Sequence, residues 1–491
     1  MKINKLGQDG EEDTPIISST KSKNKNLNRS KKNNYNFTII IVSILIFSFI
    51  FCTYYQLFSI ISKLQLKVDN MEEKVKDLEE FTVRKKISIA FVQTSIYGNG
   101  MGRILTVLTG LLAQTGLYDV YIINEKTSQN DFQIHPDVKR ILQKKNKEEI
   151  VKFDKENKIQ IYVLNNDLSD YIDIYKSLNK KVVGIFHGVF LSCIFTNNIP
   201  IYRHWCRFGL YDSFVHIIPD DYWIYKKFNF SNLVYVPNLY TFDHRKTPTS
   251  NLTYKNALIV GRIDDVIKGA QYGVKAMAEV IKEIPDAQLT IVSGYHDPKI
   301  KQLVKELNIE NNVIFKPFTQ NISEYYLNAS VLIVGSVSES FPMVMNEGKA
   351  HGLPIVAHKI EYSPCYQEGV ITVEMFDYKA MEKEIIKLLN DYDYRKQKGM
   401  EAKYSLDMYN NNETIKTWGE LFKSLLKGEN EYRNFQNKIE RKYYNEKLAM
   451  ERTKKHYYYS QQFNKKISCH SFENFTDLNY LKQIKECNLT K

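Results

Sequence analysis

Ser338-Glu339-Ser340-Phe341-Pro342-Met343-Val344-Met345-Asn346-Glu347-Gly348-Lys349-Ala350-His351-Gly352-Leu353-Pro354-Ile355-Val356-Ala357 is the stretch with the densest chemistry in the chain. Two carboxylates stand eight positions apart. Glu339 falls in a loop after the apolar run Val331–Val334, and Glu347 lies about a turn into a helix whose first residues follow Pro342. The free amides of such a helix start suit an anionic ligand such as a diphosphate. Taken alone, two Glu on a loop and a helix are ordinary solvated side chains, so the surroundings must decide.

Outward from this stretch, apolar runs at Ala257–Val260, Gln288–Val292, Val313–Phe315, Val331–Val334, Pro354–Ala357 and Val370–Val373 alternate with helical patterns. Such alternation predicts a parallel sheet covered by helices on both faces. Upstream, Lys86–Val92 reads as a buried strand, followed by a loop with Gly98, Gly100 and Gly102, a helix from Arg103 to Gln114 and a strand at Asp119–Ile123, a βαβ opening. Further strands are expected at Ile159–Leu164, Lys181–Phe186, Phe214–Ile218 and Leu233–Val236, before a polar boundary at Phe242–Asn251 that carries Pro248. The fold class is α/β. Two α/β halves in tandem, residues 86–248 and 249–428, place a shared ligand cleft between the carboxyl ends of their sheets. Residues 429–491 read as a basic, Tyr-rich tail with helical patches but no core pattern.

Residues 37–57, FTIIIVSILIFSFIFCTYYQL, carry no charge, and about 20 apolar residues at 1.5 Å each match a bilayer's hydrocarbon thickness. The run is longer and begins later than a cleaved leader would, and it lacks a small-residue cleavage site. Lys21, Lys23, Lys25, Arg29, Lys31 and Lys32 precede it, so the positive-inside rule puts residues 1–36 in the cytosol and everything after Leu57 across the membrane. Over residues 58–85, and from Leu57 itself, Ile61, Leu64, Val68, Met71, Val75 and Leu78 alternate steps of four and three, the spacing of a coiled-coil seam, and a parallel dimeric stem is expected. Of the net charge of +12, nine units fall in residues 1–36 and 428–491. The nearly neutral middle excludes the basic folded face of a nucleic-acid binder.

With its Ser-Glu-Ser-Phe-Pro opening, its Gly-Leu-Pro exit and the strand Ile355–Ala357, the stretch resembles the Glu, seven residues, Glu motif of retaining glycosyltransferases of family four, the glycosyl transferases group 1 proteins with the GT-B fold. The resemblance implies two Rossmann-like domains, with Glu339 contacting hydroxyls of a donor sugar and Glu347 binding the nucleotide ribose. Gly261-Arg262 and Lys268-Gly269 resemble that family's diphosphate clamp, Arg262 offering a planar fork and Lys268 a point charge. His187, in Val183-Gly184-Ile185-Phe186-His187-Gly188, ends a strand as the family's donor-sugar histidine does. Gly100, Phe341, Met343 and Val344 are the further expected nucleotide-side contacts. Tyr97–Arg103 sits at the family's Gly-Gly-Ala-Glu-Arg loop, but Gly102 replaces its acidic residue. Pro317-Phe318 departs from a frequent glycine, and Pro237-Asn238 resembles the domain hinge. The likeness runs over Ala257–Asp391 most closely and over Lys86–Asn238 less so; it does not reach the anchor, stem or tail.

Two other chemistries are weaker. A dinucleotide oxidoreductase would use the glycine loop with Glu125, yet the loop lacks the required spacing and leaves Glu339 to Ala357 unexplained. Asp391-Tyr392-Asp393 has the form of a metal-binding pair but ends a helical run, where metal-binding carboxylates of the other major glycosyltransferase fold follow a strand. The six cysteines show no metal-ligand spacing, and Cys469 with Cys487 could bridge within the tail. Asn229, Asn251, Asn321, Asn328, Asn412, Asn474 and Asn488 head glycosylation sequons. Together, the apolar run, the charge bias, the heptads and the resemblance lead to the expectation of a single-span type II glycosyltransferase of the Golgi or endoplasmic reticulum membrane, dimeric through its stem. It would transfer a sugar from a nucleotide-diphosphate donor to a glycan, lipid or protein acceptor with retained configuration. No metal or other cofactor is implied, because the departing phosphate takes the acceptor's proton. The alternative is a membrane-tethered carbohydrate-binding or scaffold protein that kept the fold and lost turnover.

Overall fold

The computed structural model describes residues 45–51, 53–69, 71, 86–98, 100–165, 169–189, 208–227, 232–263, 267–294, 297–363, 365–366, 369–428 and 445–463. The chain divides into two units, Met1–Lys85 and Lys86–Lys491. In the first, one helix, α1 (Leu45–Asp69), is long and apolar enough by length and composition to cross a membrane. It carries Leu57, Ile61, Leu64 and Val68 of the expected seam on one continuous rod, so no break separates the apolar run from the seam at residue 57. Val75, Leu78 and residues 37–44 lie outside the described residues.

The second unit opens with β1 (Ile87–Val92), α2 (Gly100–Gln114) and β2 (Tyr118–Asn124), followed by β3 (Lys139–Leu142), β4 (Ile161–Asn165), β5 (Lys181–Phe186), β6 (Ser213–His216), α3 (Pro219–Lys226) and β7 (Leu233–Tyr235). These strands form one sheet in the order β3-β2-β1-β4-β5-β6-β7, and every pairing is parallel. Ile89, Ala90 and Phe91 in β1 are fully buried, as expected of a strand covered on both faces. The edge strand β3 was not expected from sequence. None of the four residues of KRIL is buried, the two ends being exposed and the middle pair partly covered, and only its last two are apolar, so it carries no apolar run.

A second sheet follows: β8 (Asn256–Val260), α4 (Ala270–Glu283), β9 (Gln288–Val292), β10 (Val313–Lys316), α5 (Ser323–Leu327), β11 (Val331–Val334), α6 (Met343–Ala350), β12 (Ile355–His358) and β13 (Val370–Val373). Its order is β10-β9-β8-β11-β12-β13, again wholly parallel. Successive side chains leave a strand on opposite faces, and Val331 and Ile333 join one hydrophobic cluster while Leu332 and Val334 join the other. Strand order reverses between β1 and β4 in the first sheet and between β8 and β11 in the second. Loops leaving the carboxyl ends of strands flanking such reversals form the ligand crevice of open α/β sheets.

After α7 (Tyr392–Tyr404), α8 (Asn411–Lys427) returns to the first half. Asn411 accepts from the Tyr240 amide at 3.0 Å and donates to its carbonyl at 2.9 Å, and Phe422 meets Tyr118 edge-on at 5.9 Å. Beyond residue 428, in the segment expected to lack a core, α9 (Glu446–Phe463) packs on α3 through buried Ala449, Thr453 and Tyr457. These three positions are four apart, a stripe one residue wide on an otherwise polar helix.

Candidate functional site

Two loops of the second half meet at their glycines. Gly269 has φ 57°, and a Cβ there would stand 2.0 Å from the Gly335 carbonyl oxygen; one on Gly335 would stand 2.3 Å from that of Gly269. Only glycine at both positions lets the loop after β8 lie against the loop after β11. The approach is closed by Val337 N–H donating to the Ile267 carbonyl at 2.9 Å. It delivers the Lys268 ammonium to Glu339 at 2.5 Å, and Ser336 Oγ donates to the same carboxylate oxygen at 2.8 Å. The Tyr362 hydroxyl accepts from the Glu339 amide at 3.3 Å. Beneath Gly335, His358 has its Nδ1 2.8 Å from that residue's carbonyl, while its Nε2 accepts from the Phe376 amide at 3.2 Å. Both ring nitrogens thus face backbone partners that suit the neutral imidazole.

Burial lowers the His358 pKa to about 4, below the ordinary 6.5. Between these values the unfolded chain binds more protons at this ring than the folded one, so the folded state loses stability as pH falls from about 6.5 towards 4. One such group contributes at most roughly 1.4 kcal/mol per pH unit. We expect the fall in urea midpoint over this window to shrink in His358→Gln; an unchanged slope would place the acid sensitivity elsewhere.

The loop after β11 also reaches the first half. Ser340 Oγ donates to the His187 carbonyl at 2.6 Å, which sets His187, at the end of β5, across the cleft from Glu339. Burial lowers the His187 pKa to about 4. Phe341 is buried against Tyr240, with ring centroids 5.6 Å apart. No side chain caps the start of α6, which leaves its first amides to a ligand. Met343 there faces α2 from the other half, a Cβ on Gly100 falling 3.3 Å from Met343 Cγ, and Val344 lies 4.0 Å from a Cβ on Gly261. Arg262 follows Gly261 on an exposed part of the same loop.

Glu347 behaves differently from Glu339. Its side chain is 3% exposed and pairs with Arg103 of α2 at 3.1 Å. It also accepts from the Tyr326 hydroxyl at 2.8 Å and from Thr241 Oγ1 at 3.3 Å. Burial pushes its carboxyl above the usual range, and Arg103 with the two hydroxyls pulls the other way. The Arg103 guanidinium lies over the Phe242 ring at 5.3 Å. Sequence reading gave no role to Arg103, Tyr326 or Thr241. Arg103 closed the glycine loop already singled out, whereas the other two carried no local signal.

The glycine at 102 has a steric reason. A Cβ there would fall 2.8 Å from three backbone atoms of Ile96, so an acidic side chain has no room. Gly102→Ala should cost roughly 1–3 kcal/mol by urea unfolding, the usual cost of overpacking. A neutral result would show that the loop yields freely.

The rival sites are occupied by structure. Asp391 caps α7 by accepting from the Tyr394 amide at 2.9 Å, and Glu125 accepts from the Tyr171 hydroxyl. No group of three potential metal ligands occurs among the described residues. Cys365 is buried with its thiol pushed up to about 12; the other five cysteines lie outside the described residues.

Residues 241–404 match the glycosyl transferases group 1 family. The matched stretch contains Glu339, Glu347, Arg262 and Lys268, while His187 and Arg103 come from the half that precedes it. The chain is 30% identical over 198 residues to an uncharacterized glycosyltransferase of Haemophilus influenzae, covering 39% of this chain and 56% of that protein. The matched stretch spans 28% and 22% of two further curated relatives. The fold is that of sucrose-phosphate synthase from Thermosynechococcus elongatus, with TM-score 0.58 and 18% identity over 70% of this chain and all of that one. Anabaena HepE in complex with UDP and glucose matches with TM-score 0.56 and 13% identity, over 69% of this chain and all of that one. Two Rossmann-like domains in the GT-B arrangement are thus the architecture.

Proposed function

We propose that this chain is a membrane-anchored glycosyltransferase that moves a sugar from a nucleotide-diphosphate donor to a glycan, lipid or protein acceptor and retains the anomeric configuration. The observation that carries the reading is the pairing of Lys268 with Glu339, whose neighbour Ser340 holds the His187 backbone of the other half, beside the uncapped start of α6. Lys268, Arg262 and the α6 amides stabilise the charge that develops on the leaving diphosphate, preorganised electrostatics of the kind that dominates such steps. Glu339 faces the sugar ring with Lys268 as its counter-ion, and the departing phosphate takes the acceptor's proton. Glu347 serves the ribose hydroxyls from α6, which requires the ribose to share or replace Arg103. Donor charge is met by these side chains and amides without a metal. The family match of residues 241–404 and the solved HepE complex with UDP and glucose support a nucleotide sugar as donor. The length and apolar composition of α1, uncharged from Leu45 to Ser62, support a single span. The second unit is then on the luminal face of the Golgi or endoplasmic reticulum, and the homodimer forms through the seam residues of the stem.

The test is release of free nucleoside diphosphate from a panel of sugar nucleotides. Wild-type protein should release it from at least one donor, and Glu339→Gln should cut that release roughly 100-fold, the scale for removing one preorganised group. Calorimetric binding of nucleoside diphosphate should stay within a few-fold in the same variant. Binding without any release in the wild type would identify a carbohydrate-binding or scaffold protein instead.

A further inference from the structure

The ring of His187 ends a directional relay anchored on backbone. Gln93, just past β1, donates from Nε2 to the Ser95 carbonyl at 2.6 Å. A carbonyl can only accept, so the orientation of the Gln93 amide is fixed and its Oε1 points the other way. Asn165, the last residue of β4, donates from Nδ2 to that Oε1. With its Nδ2 so engaged, Asn165 presents Oδ1 to His187, and the distance to His187 Nε2 is 2.6 Å. An amide oxygen carries no proton, so the hydrogen of this bond belongs to Nε2. Gln93 and Asn165 are buried, 6% and 2% exposed, so water does not scramble the order.

We infer that Asn165 is a positioning residue that locks His187 as the Nε2–H tautomer and leaves the Nδ1 lone pair as the group offered to a ligand in the cleft. This rests on the proposed function for the nature of the ligand. A lone pair takes a donor: a sugar hydroxyl satisfies it, whereas a carboxylate brings only lone pairs of its own. The site therefore pairs Nδ1 with a sugar hydroxyl and disfavours a donor that sets a carboxylate there, as a hexuronate does when its carbon-6 group is the one that meets the ring, a selectivity set by an amide that touches no substrate. Unpaired polar groups discriminate strongly in such sites, which makes a large ratio attainable.

The test uses the full-length chain in detergent with histidine labelled at both ring nitrogens by nitrogen-15. A two-bond proton–nitrogen spectrum, assigned by the signals lost in His187→Gln, should show His187 protonated at Nε2 and bare at Nδ1. Nucleoside diphosphate release from a nucleotide hexose should exceed that from its hexuronate at least roughly tenfold in kcat/KM. Asn165→Leu should yield a tautomer mixture and collapse that ratio while nucleoside diphosphate still binds. A bare Nε2 or a tautomer mixture in the wild type would overturn the inference, and this readout needs no turnover. So would an unchanged ratio in Asn165→Leu, or a wild type that prefers the hexuronate. The expected tautomer with no sugar nucleotide bound at all would instead sink the proposed function, and the hydroxyl selectivity with it.

Discussion

Arg103→Ala should destabilise the folded second unit by about 3 kcal/mol in urea unfolding, and Glu347→Gln in the same chain should restore part of that loss. The expectation follows from what each partner leaves behind. Glu347 is 3% exposed, so its charge has little water to fall back on once the guanidinium at 3.1 Å is gone. The Tyr326 and Thr241 hydroxyls still donate to it, but neutral donors do not replace a counter-charge. Arg103 retains 21% exposure, which places the cost at the low end of the roughly 3–5 kcal/mol seen when one partner of a buried pair is removed. Burial already pushes the Glu347 carboxyl upward, and without Arg103 it rises further. The folded state then holds a proton that the unfolded state gives up above its ordinary range, so stability falls as pH rises through that interval. The deficit of Arg103→Ala should therefore be larger at pH 7 than at pH 5. A loss below 1 kcal/mol, or one independent of pH, would show that the hydroxyls alone satisfy Glu347. Since Arg103 belongs to the first half and Glu347 to the second, the same variant should also weaken nucleoside diphosphate binding if the closed cleft is the binding form.

Much of this architecture was written in local pattern. β5, β9 and β11 have the bounds that their apolar runs suggest, because strands buried on both faces are largely apolar; β13 matches its run too, although at the sheet edge only its Val373 is buried. Edge strand β3 escaped for the opposite reason: with half its face in water, Lys139 and Arg140 are as suitable as valine. Lys268 and Glu339 could be picked out separately, but their meeting depends on Gly269 and Gly335 touching backbone to backbone, and a contact between residues so distant in sequence leaves no periodicity. Tyr326 and Asn165 are further cases. Each is an ordinary residue in its own element and acquires a role only when the tertiary fold aims it at Glu347 or His187. The mean composition of the tail hid α9, whose buried stripe of Ala449, Thr453 and Tyr457 is too narrow to stand out among lysines and tyrosines.

What holds that helix is a charge pair as much as a stripe, and Arg452→Ala should be among the most destabilising single changes in the chain. Arg452 grips Asp220 of α3 bidentately, Nε to Oδ2 and Nη2 to Oδ1 both at 2.7 Å. Asp220 is wholly buried and Arg452 is 16% exposed. Burial raises the Asp220 carboxyl and the Arg452 contacts limit that rise to about 6, so the pair is ionised at neutral pH. A fork matched to a carboxylate in this way cannot be replaced by a lysine without losing one of the two bonds. Truncating Arg452 strands a charge that has no solvent access, for which the expected cost is about 3–5 kcal/mol. Replacing both partners, Asp220→Leu with Arg452→Leu, removes the stranded charge and fills the space with apolar volume; it should bring stability back to within about 1 kcal/mol of wild type or above it. Lys455 on the same helix reaches Glu361 at 3.2 Å, and Glu361 adjoins Tyr362, the residue that holds the Glu339 amide. Loss of α9 from its seat should therefore be felt at the loop of Glu339 as well as in stability. Urea unfolding of the two variants decides the matter: a cost under 1 kcal/mol for Arg452→Ala would mean that the pair counts no more than a surface bridge and that Ala449 and Tyr457 alone seat the helix.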